Sequence, residues 1–193
     1  VNEPIVSSVG QVEGNPGWGY MTVSPDGSQL ASAMRDPGFE LLDFDALEGV
    51  VSNPLLLFDP GSGCYGVSFS PSGGVLYGGN IQTGHLYQWN LNAGSDSDII
   101  DSMLLLATLE GTGSPYRGGA IQLAVDGKMY IPQFNQEYLS VIHHPDSLGP
   151  ACGLEFDAVD LDGRTAVLGL PPFVQSFFSV VPDIIVDIGC PGT

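Results

Sequence analysis

The stretch Tyr20–Gly27 reads YMTVSPDG, and two similar stretches follow it, GVSFSPSG at Gly66–Gly73 and AIQLAVDG at Ala120–Gly127. Their closing glycines lie 46 and 54 residues apart. Each copy places a polar residue between two apolar ones, the period-two pattern of a strand with one buried face. The proline and glycine that follow supply the backbone angles of a hairpin reversal. The third copy has Val125 in place of the proline but keeps the Asp-Gly turn. The chain is therefore predicted to repeat one strand–turn unit three times.

Three further apolar strands are predicted in each copy. The second strands are Leu30–Ala33, Val75–Gly78 and Met129–Ile131. The third strands are Phe39–Asp45, His85–Leu91 and Tyr138–His144. The fourth strands are Leu55–Phe58, Met103–Leu106 and, more weakly, Leu154–Phe156. A single four-stranded unit cannot bury both of its faces, so neighbouring units must stack around an axis. The predicted fold class is all-β, a partial or small β-propeller of four-stranded antiparallel blades.

The repeats divide the chain into blades at about residues 17–64, 65–118 and 119–164, with end strands at 165–181. Residues 1–181 are thus predicted to be propeller-like, and residues 182–193 to form a C-terminal strand or a linker to a following module. At roughly 50 residues per blade the length allows about four blades, yet only three repeats are visible. We therefore expect part of a larger propeller, or an incomplete one whose open edges are covered. The first residue, Val1 rather than Met, suggests a processed or excised chain.

Composition narrows the choice of partners. Four Lys and Arg residues stand against 22 Asp and Glu residues, for a net charge of −18. Electrostatic repulsion then argues against nucleic acid and anionic membrane surfaces as partners. No signal peptide and no membrane-spanning run is seen in this sequence. With 27 glycines, 15 prolines and 43% hydrophobic residues, the chain is turn-rich but has ample material for a packed core.

The three cysteines are Cys64, Cys152 and Cys190, so at most one intramolecular disulfide can form. Cys152 and Cys190 are the favoured pair, because both lie in glycine- and proline-containing contexts near the C-terminal end. Three unpaired cysteines, some of them buried, are the alternative.

The order of these motifs, together with GLPPFVQSFF at Gly169–Phe178, resembles the propeller region of large secreted Bacteroidetes proteins. Those proteins are exported by type IX secretion, many carry gliding-motility-associated C-terminal domains, and their propellers are of the WD40/YVTN-like kind. The resemblance covers roughly residues 17 to 180. It implies a secreted or cell-surface propeller that precedes immunoglobulin-like or PKD-like modules, with more propeller sequence upstream. The chain departs from the family at His143 and His144, where asparagines are common, and in its few basic residues.

The same resemblance implies O-glycosylation, since members of this bacterial group modify Asp-Ser/Thr when a small or apolar residue follows. Ser102, in Asp101-Ser102-Met103, and Ser147, in Asp146-Ser147-Leu148, fit that pattern. No Asn-x-Ser/Thr acceptor occurs in the chain.

No catalytic residue is predicted. Only His85, His143 and His144 could serve as a general base, and no nucleophile-elbow pentapeptide accompanies them. His143 and His144 are adjacent, so on a strand their side chains point to opposite faces. A glycosidase would need two carboxylates at a set separation, and among 22 acidic residues the sequence singles out none.

Calcium is the one cofactor considered. The carboxylates of Asp157, Asp160 and Asp162 offer oxygen ligands before a glycine, and a second cluster has Asp96, Asp98 and Asp101. Neither cluster has the spacing of a twelve-residue calcium loop. A solvated acidic loop is the alternative interpretation for both.

The function expected from these observations is a noncatalytic extracellular or cell-surface propeller that acts as a scaffold and as an adhesion or binding module. Its partners would be other modules of the same polypeptide, copies of itself, or an extracellular glycan or protein. A first alternative is a subunit of an extracellular fibre, in which a segment such as Pro182–Gly189 pairs with the strand edge of the next copy. A second alternative is a sugar-cleaving propeller enzyme.

Overall fold

The computed structural model describes residues 3–11, 18–109 and 115–171 of the chain. Twelve strands form three antiparallel sheets, each a meander of four strands in chain order. The first sheet contains β1 (Gly19–Val23), β2 (Gln29–Met34), β3 (Gly38–Asp45) and β4 (Val50–Phe58). The second contains β5 (Cys64–Phe69), β6 (Val75–Asn80), β7 (His85–Asn90) and β8 (Leu104–Thr108). The third contains β9 (Gln122–Leu123), β10 (Met129–Pro132), β11 (Tyr138–Ile142) and β12 (Leu154–Asp160). The architecture is a partial β-propeller, and the predicted fold class is confirmed.

The turn between the first two strands sets the register of each sheet. In the first copy the Ser24 N–H donates to the Gln29 carbonyl at 2.9 Å, and in the second the Ser70 N–H donates to the Val75 carbonyl at 2.8 Å. The third turn is one residue shorter, with Ala124 bonded to Lys128. As a result, three equivalent pairs face each other across the first two strands: Val23 and Leu30, Phe69 and Leu76, Leu123 and Met129.

Two apolar cores lie between successive sheets. The first joins residues such as Phe39 and Leu41 of the first sheet to Phe69, Leu76 and Trp89 of the second. The second core joins the other side of the second sheet, including Val75, Tyr77 and Leu86, to residues of the third sheet such as Met129 and Ile142. Each large side chain buried in this way stabilises the fold by roughly 1.5–3 kcal/mol. The side of the second and third sheets that faces the preceding sheet, and the corresponding side of the first sheet, is called the leading face.

A backbone hydrogen bond recurs at the end of the molecule where the chain enters each sheet. The Arg35 N–H donates to the Trp18 carbonyl at 3.0 Å, the Ile81 N–H to the Gly63 carbonyl at 2.8 Å, and the Phe134 N–H to the Arg117 carbonyl at 2.8 Å. In each case the loop after the second strand of a sheet is bonded to a residue that precedes the first strand of the same sheet. These three pairs define the entrance end of the molecule.

One helix was not predicted. The helix α1 covers Asp96–Asp101, between the third and fourth strands of the second sheet. Ser95 caps it, accepting from the Asp98 N–H while the Asp98 carboxylate accepts from the Ser95 N–H at 2.9 Å. Ile99 on its inner side is buried in the first core. The acidic cluster at Asp96, Asp98 and Asp101 is therefore part of a capped helix.

The outer strand of each of the three described sheets has a register shift against its neighbour, and two of these strands carry a residue with positive φ. Asn53 in β4 and Asp157 in β12 both have positive φ angles, 47° and 52°, and the pairing of each strand shifts register nearby. Bulges at a sheet edge hinder the addition of a further strand. These two edges therefore do not favour assembly by edge pairing.

The two ends of the chain contribute no strand among the described residues. Residues 3–11 have no regular secondary structure, and the end strands predicted for 165–181 are absent from 165–171. Residues 172–181, the predicted linker or strand at 182–193 and the fibre-forming segment Pro182–Gly189 lie outside the described residues. Where side chains and backbone are described, no helix has the length and apolar character needed to cross a membrane.

Candidate aromatic binding site

Aromatic side chains gather at the entrance end of the first and third sheets. Trp18 and Tyr116, whose ring centroids lie 6.2 Å apart, precede the first strands of those sheets, and Tyr116 lies 6.1 Å from Phe134. Tyr20 meets Tyr65 of the second sheet edge-on at 5.2 Å. The term aromatic end denotes these five residues, Trp18, Tyr20, Tyr65, Tyr116 and Phe134. They come from all three sheets, so the stacking of the blades creates the cluster.

Trp18 is the exposed member of the cluster and is held in place by a cation. Its side chain is 43% exposed. The Arg35 guanidinium lies over the indole, with Cζ at 5.1 Å from the ring centroid, and such a contact contributes roughly 0.5–2 kcal/mol. The buried Nε of Arg35 has no hydrogen-bond partner within the described part of the chain. Because that Nε is buried, it is not itself accessible to a ligand.

A cavity of about 260 Å³ opens at this end, lined by Trp18, Gly19, Tyr65 and Leu168. Gly19 has a φ of 146°, and a Cβ there would run into the Ala33 carbonyl oxygen, so the wall needs glycine. Burial, followed by the neighbouring Tyr20, raises the pKa of Tyr65. The Tyr65 hydroxyl is hydrogen-bonded to the Tyr20 side chain, one of the causes of that shift. An aromatic wall with a few polar groups is the usual lining of a small-molecule pocket.

The sequence did not single out this site, because its members are far apart in the chain. Trp18 meets Arg35, and Tyr116 meets Phe134, within one sheet each, but the contact between Trp18 and Tyr116 exists only because the blades stack. One signal was present: an aromatic residue precedes or begins the inner strand of every repeat, namely Trp18, Tyr65 and Tyr116.

The acidic residues at the opposite end stabilise turns. Asp26 accepts from the Ser24 hydroxyl at 2.6 Å and from the N–H and hydroxyl of Ser28 at 3.1 and 2.8 Å. The hydrogen bond from the Ser24 side chain is the largest of several that lower the pKa of Asp26. Asp26 is therefore an ionised turn residue and unsuited to act as a general acid at neutral pH.

The histidines engage neighbours on their own sheets. His143 Nε2 lies 2.7 Å from a Glu155 carboxylate oxygen on the adjacent strand, and Glu155 is 61% exposed. His85 Nδ1 lies 3.0 Å from the Tyr87 hydroxyl on the second sheet. The strand β11 ends at Ile142, so His143 and His144 lie just beyond it and not within the strand predicted for Tyr138–His144.

The calcium candidates are not assembled into a site. Asp157 lies at the bulge of β12, while Asp160 accepts from the Asp162 N–H at 2.8 Å in a local turn. Across residues 3–11, 18–109 and 115–171, no three His, Cys, Asp or Glu side chains are grouped closely enough to hold a metal ion.

The two described cysteines are buried thiols. Cys64 and Cys152 are both 0% exposed and free, and burial is the largest cause of a raised pKa in each. A raised pKa keeps a thiol protonated and unreactive. Cys190, the predicted partner of Cys152, lies outside the described residues, so their pairing stays a prediction. It would require Cys190 to reach a fully buried sulfur.

The two predicted glycosylation sites differ in their surroundings. The Ser102 hydroxyl accepts from the Asn90 N–H at 2.9 Å and donates to the Ile99 carbonyl at 2.6 Å, at the end of α1. Ser147 is half-buried and engages Gln88 and Tyr77 through its backbone carbonyl. Both serines are half-buried, and they differ in that the Ser102 hydroxyl is engaged in hydrogen bonds that hold the end of α1.

Comparisons with known proteins give matches of structure only. No family model matches the chain, and no curated protein matches it in sequence. One similar structure is a proposed 6-phosphogluconolactonase from Bacteroides uniformis, with 16% identity and a TM-score of 0.48 over 63% of this chain and 35% of that one. A second is an auxiliary nutrient binding protein from Bacteroides thetaiotaomicron, with 19% identity and a TM-score of 0.45 over 63% and 27%. A third is a proposed phosphatase from the same species, with 16% identity and a TM-score of 0.49 over 64% and 31%. The matched part of this chain corresponds to about a third of the length of those structures, and no activity is carried over from them.

Proposed function

We propose that this chain is part of a noncatalytic extracellular or cell-surface protein, in which it acts as a scaffold and binds an extracellular glycan at the aromatic end. The observation that carries the proposal is the position of Trp18, which is 43% exposed, lines a pocket and packs against the Arg35 guanidinium. An exposed aromatic ring that is already ordered offers contact area at low entropic cost. The C–H faces of a sugar ring suit such a platform, and the tyrosine hydroxyl and the arginine suit its hydroxyl groups.

The location of the protein is proposed from its composition and its sequence resemblance. A net charge of −18 with only four basic residues keeps a protein soluble and disfavours binding to nucleic acid. The resemblance to type IX secreted propellers supplies the extracellular assignment, and it makes Ser102 and Ser147 the expected glycan acceptors. Both belong to the proposal.

The rigid part of the molecule supports a scaffold role. Two apolar cores fix three sheets relative to one another, and each entrance loop is anchored by its own backbone hydrogen bond. Loops held on a rigid frame can carry recognition while the frame stays constant.

The test compares two exposed aromatic residues. Trp18→Ala should weaken binding to a soluble polysaccharide at least tenfold, equivalent to about 1.4 kcal/mol, because it removes the platform. Phe156→Ala is the matched control, since Phe156 is 47% exposed but lies on the outer strand β12. Affinity electrophoresis against laminarin, xylan, pectin and alginate gives the dissociation constants. Equal losses in both variants, or no retardation of the parent protein by any of the four, would contradict the proposal.

The enzyme alternative is tested on the same polymers. We expect the parent protein to release no reducing ends from them after prolonged incubation. Release that disappears on replacing one carboxylate would overturn the noncatalytic assignment.

A further inference from the structure

The cavity at the aromatic end differs in charge from other cavities of the molecule. No carboxylate occurs among the described residues that line it. Three other cavities in the described part of the chain are each lined in part by aspartates, drawn from Asp26, Asp43, Asp45 and Asp96. In a chain with 22 acidic residues, an anionic group on a ligand would meet a lining carboxylate in those three cavities but not in this one.

The arginines of the chain lie at the same end of the molecule. Arg35 follows β2, Arg117 precedes β9 and Arg164 follows β12, all at the entrance end. The one lysine, Lys128, lies in the turn between β9 and β10 at the opposite end. Most of the positive charge of this acidic molecule is therefore concentrated at the end that carries the aromatic residues.

Arg35 is the arginine that contacts the site. Its guanidinium lies over the Trp18 indole, and the residue is half-buried. Across residues 3–11, 18–109 and 115–171, no carboxylate pairs with it. Because Nε is buried, the donors left for a ligand are the two terminal nitrogens. A guanidinium that is partly withdrawn from water is stabilised by a counter-charge, and its paired donors match the two oxygens of a carboxylate.

We propose that the glycan bound at the aromatic end is an acidic one that contains uronic acids, with a sugar carboxylate paired to the Arg35 guanidinium beside Trp18. This inference rests on the proposed glycan-binding function and names the class of glycan. A uronic acid carries both features that the site suits: C–H groups that pack on an aromatic ring, and a carboxylate that accepts from a guanidinium.

The net charge of −18 opposes the approach of an anion, but only over a limited range. At an ionic strength of about 0.15 M, exposed charges more than roughly 8 Å apart are largely screened, whereas a partly buried pair is screened much less. Two aspartates of the entrance end, Asp36 and Asp59, add to the effect of burial in raising the pKa of Cys64, but neither lines the cavity. The pair with Arg35 therefore outweighs the repulsion from the more distant acidic residues.

The test compares two ligands with the same sugar rings and different charge. The parent protein should bind trigalacturonate roughly tenfold more tightly than its trimethyl ester, because the ester has no carboxylate for Arg35. Isothermal titration calorimetry in about 0.15 M NaCl measures both dissociation constants, with EDTA present to prevent calcium from bridging the acid. Arg35→Gln should abolish the preference for the acid. Arg164→Gln is the matched control and should keep it, because it removes the same charge from an exposed residue that does not line the cavity.

The outcomes separate this inference from the proposed function. Equal affinity of the parent for the acid and the ester, with both weakened by Trp18→Ala, would overturn the inference and leave glycan binding standing. Binding of laminarin without binding of trigalacturonate would do the same, whereas no binding to any glycan would overturn both. Tighter binding of a sulfated trisaccharide than of trigalacturonate would contradict a uronic acid as the ligand. Loss of the preference in Arg164→Gln as well as in Arg35→Gln would contradict the pairing with Arg35.

Discussion

Single carboxylates join parts of this molecule, and Asp146 is the clearest case. It lies in the loop after β11 of the third sheet and accepts from the N–H and the hydroxyl of Ser72, at 3.0 and 2.6 Å, in the first turn of the second sheet. Burial alone would raise the pKa of Asp146, but the hydrogen bonds from Ser72 and Ser70 outweigh that effect and lower it. The residue therefore links two sheets in its ionised form.

Asp146→Asn should reduce the free energy of unfolding by about 1 kcal/mol at pH 7, a value below that of a fully buried charged hydrogen bond because the residue is exposed to solvent. The folded-state pKa lies below the unfolded one, so the stabilisation is complete above about pH 5 and fades as the pH falls through the folded-state value. Urea unfolding at pH 7 and pH 3 measures the difference.

Asp157→Asn is the control for this experiment. Asp157 is exposed and has a positive φ of 52°, which asparagine also tolerates. It should unfold like the parent at both pH values. If the free energies of unfolding of Asp146→Asn and the parent differ by the same amount at pH 3 as at pH 7, the link does not depend on the charge.

Gln88 illustrates how neighbouring elements are joined. This residue of β7 is 2% exposed, and its amide donates to the Tyr77 hydroxyl at 2.7 Å and to the Ser147 carbonyl at 3.0 Å. Its carbonyl oxygen accepts from the Gly149 N–H at 2.7 Å. One buried amide thus connects the second sheet to the loop that leads into the last strand of the third.

Gln88→Leu should lower the free energy of unfolding by about 2–4 kcal/mol, because it leaves a buried N–H and a buried carbonyl without partners. Tyr77→Phe removes only one hydroxyl from the same network and should cost about 1 kcal/mol. Chemical denaturation monitored by tryptophan fluorescence compares the two. A smaller loss for Gln88→Leu than for Tyr77→Phe would contradict the assigned role of the amide.

The strands could be predicted from the sequence where the alternation of polar and apolar residues was long and was repeated from copy to copy. Alternation and turn residues located the strands, although β4 and β12 run longer than expected because their bulges let polar residues continue the strand. The helix α1 was missed because six residues are too few for a helical period. Its cue was the Ser95 and Asp98 spacing of a capping box. The aromatic end could not be predicted from any one segment, since the contacts of Trp18 with Tyr116 and of Tyr20 with Tyr65 cross from sheet to sheet.

Charge is the dominant property of the whole molecule. At a net charge of −18, the compact chain is opposed by its own repulsion. Salt screens that repulsion, because the Debye length falls from about 30 Å at 0.01 M to about 3 Å at 1 M.

The melting temperature should therefore rise by roughly 2–6 °C between about 10 mM and 500 mM NaCl, which corresponds to about 1–2 kcal/mol for a chain of this size. The double variant Glu48→Lys and Asp101→Lys carries −14 in place of −18, because each replacement changes the charge by two. It should melt higher at low salt and gain less from NaCl. Differential scanning calorimetry gives both values, and a parent melting temperature that is indifferent to salt would contradict the prediction.

The recurring bond at the entrance end has an evolutionary consequence. The Arg35, Ile81 and Phe134 N–H groups form this bond with main-chain carbonyls, so the bond itself requires no particular side chain, while Ile81 is buried and Arg35 and Phe134 also contact aromatic rings. Descendants of such a gene can rewrite what this rim recognises by ordinary point mutation, and a protein engineer could graft foreign loops there, while the pleated framework underneath keeps its shape.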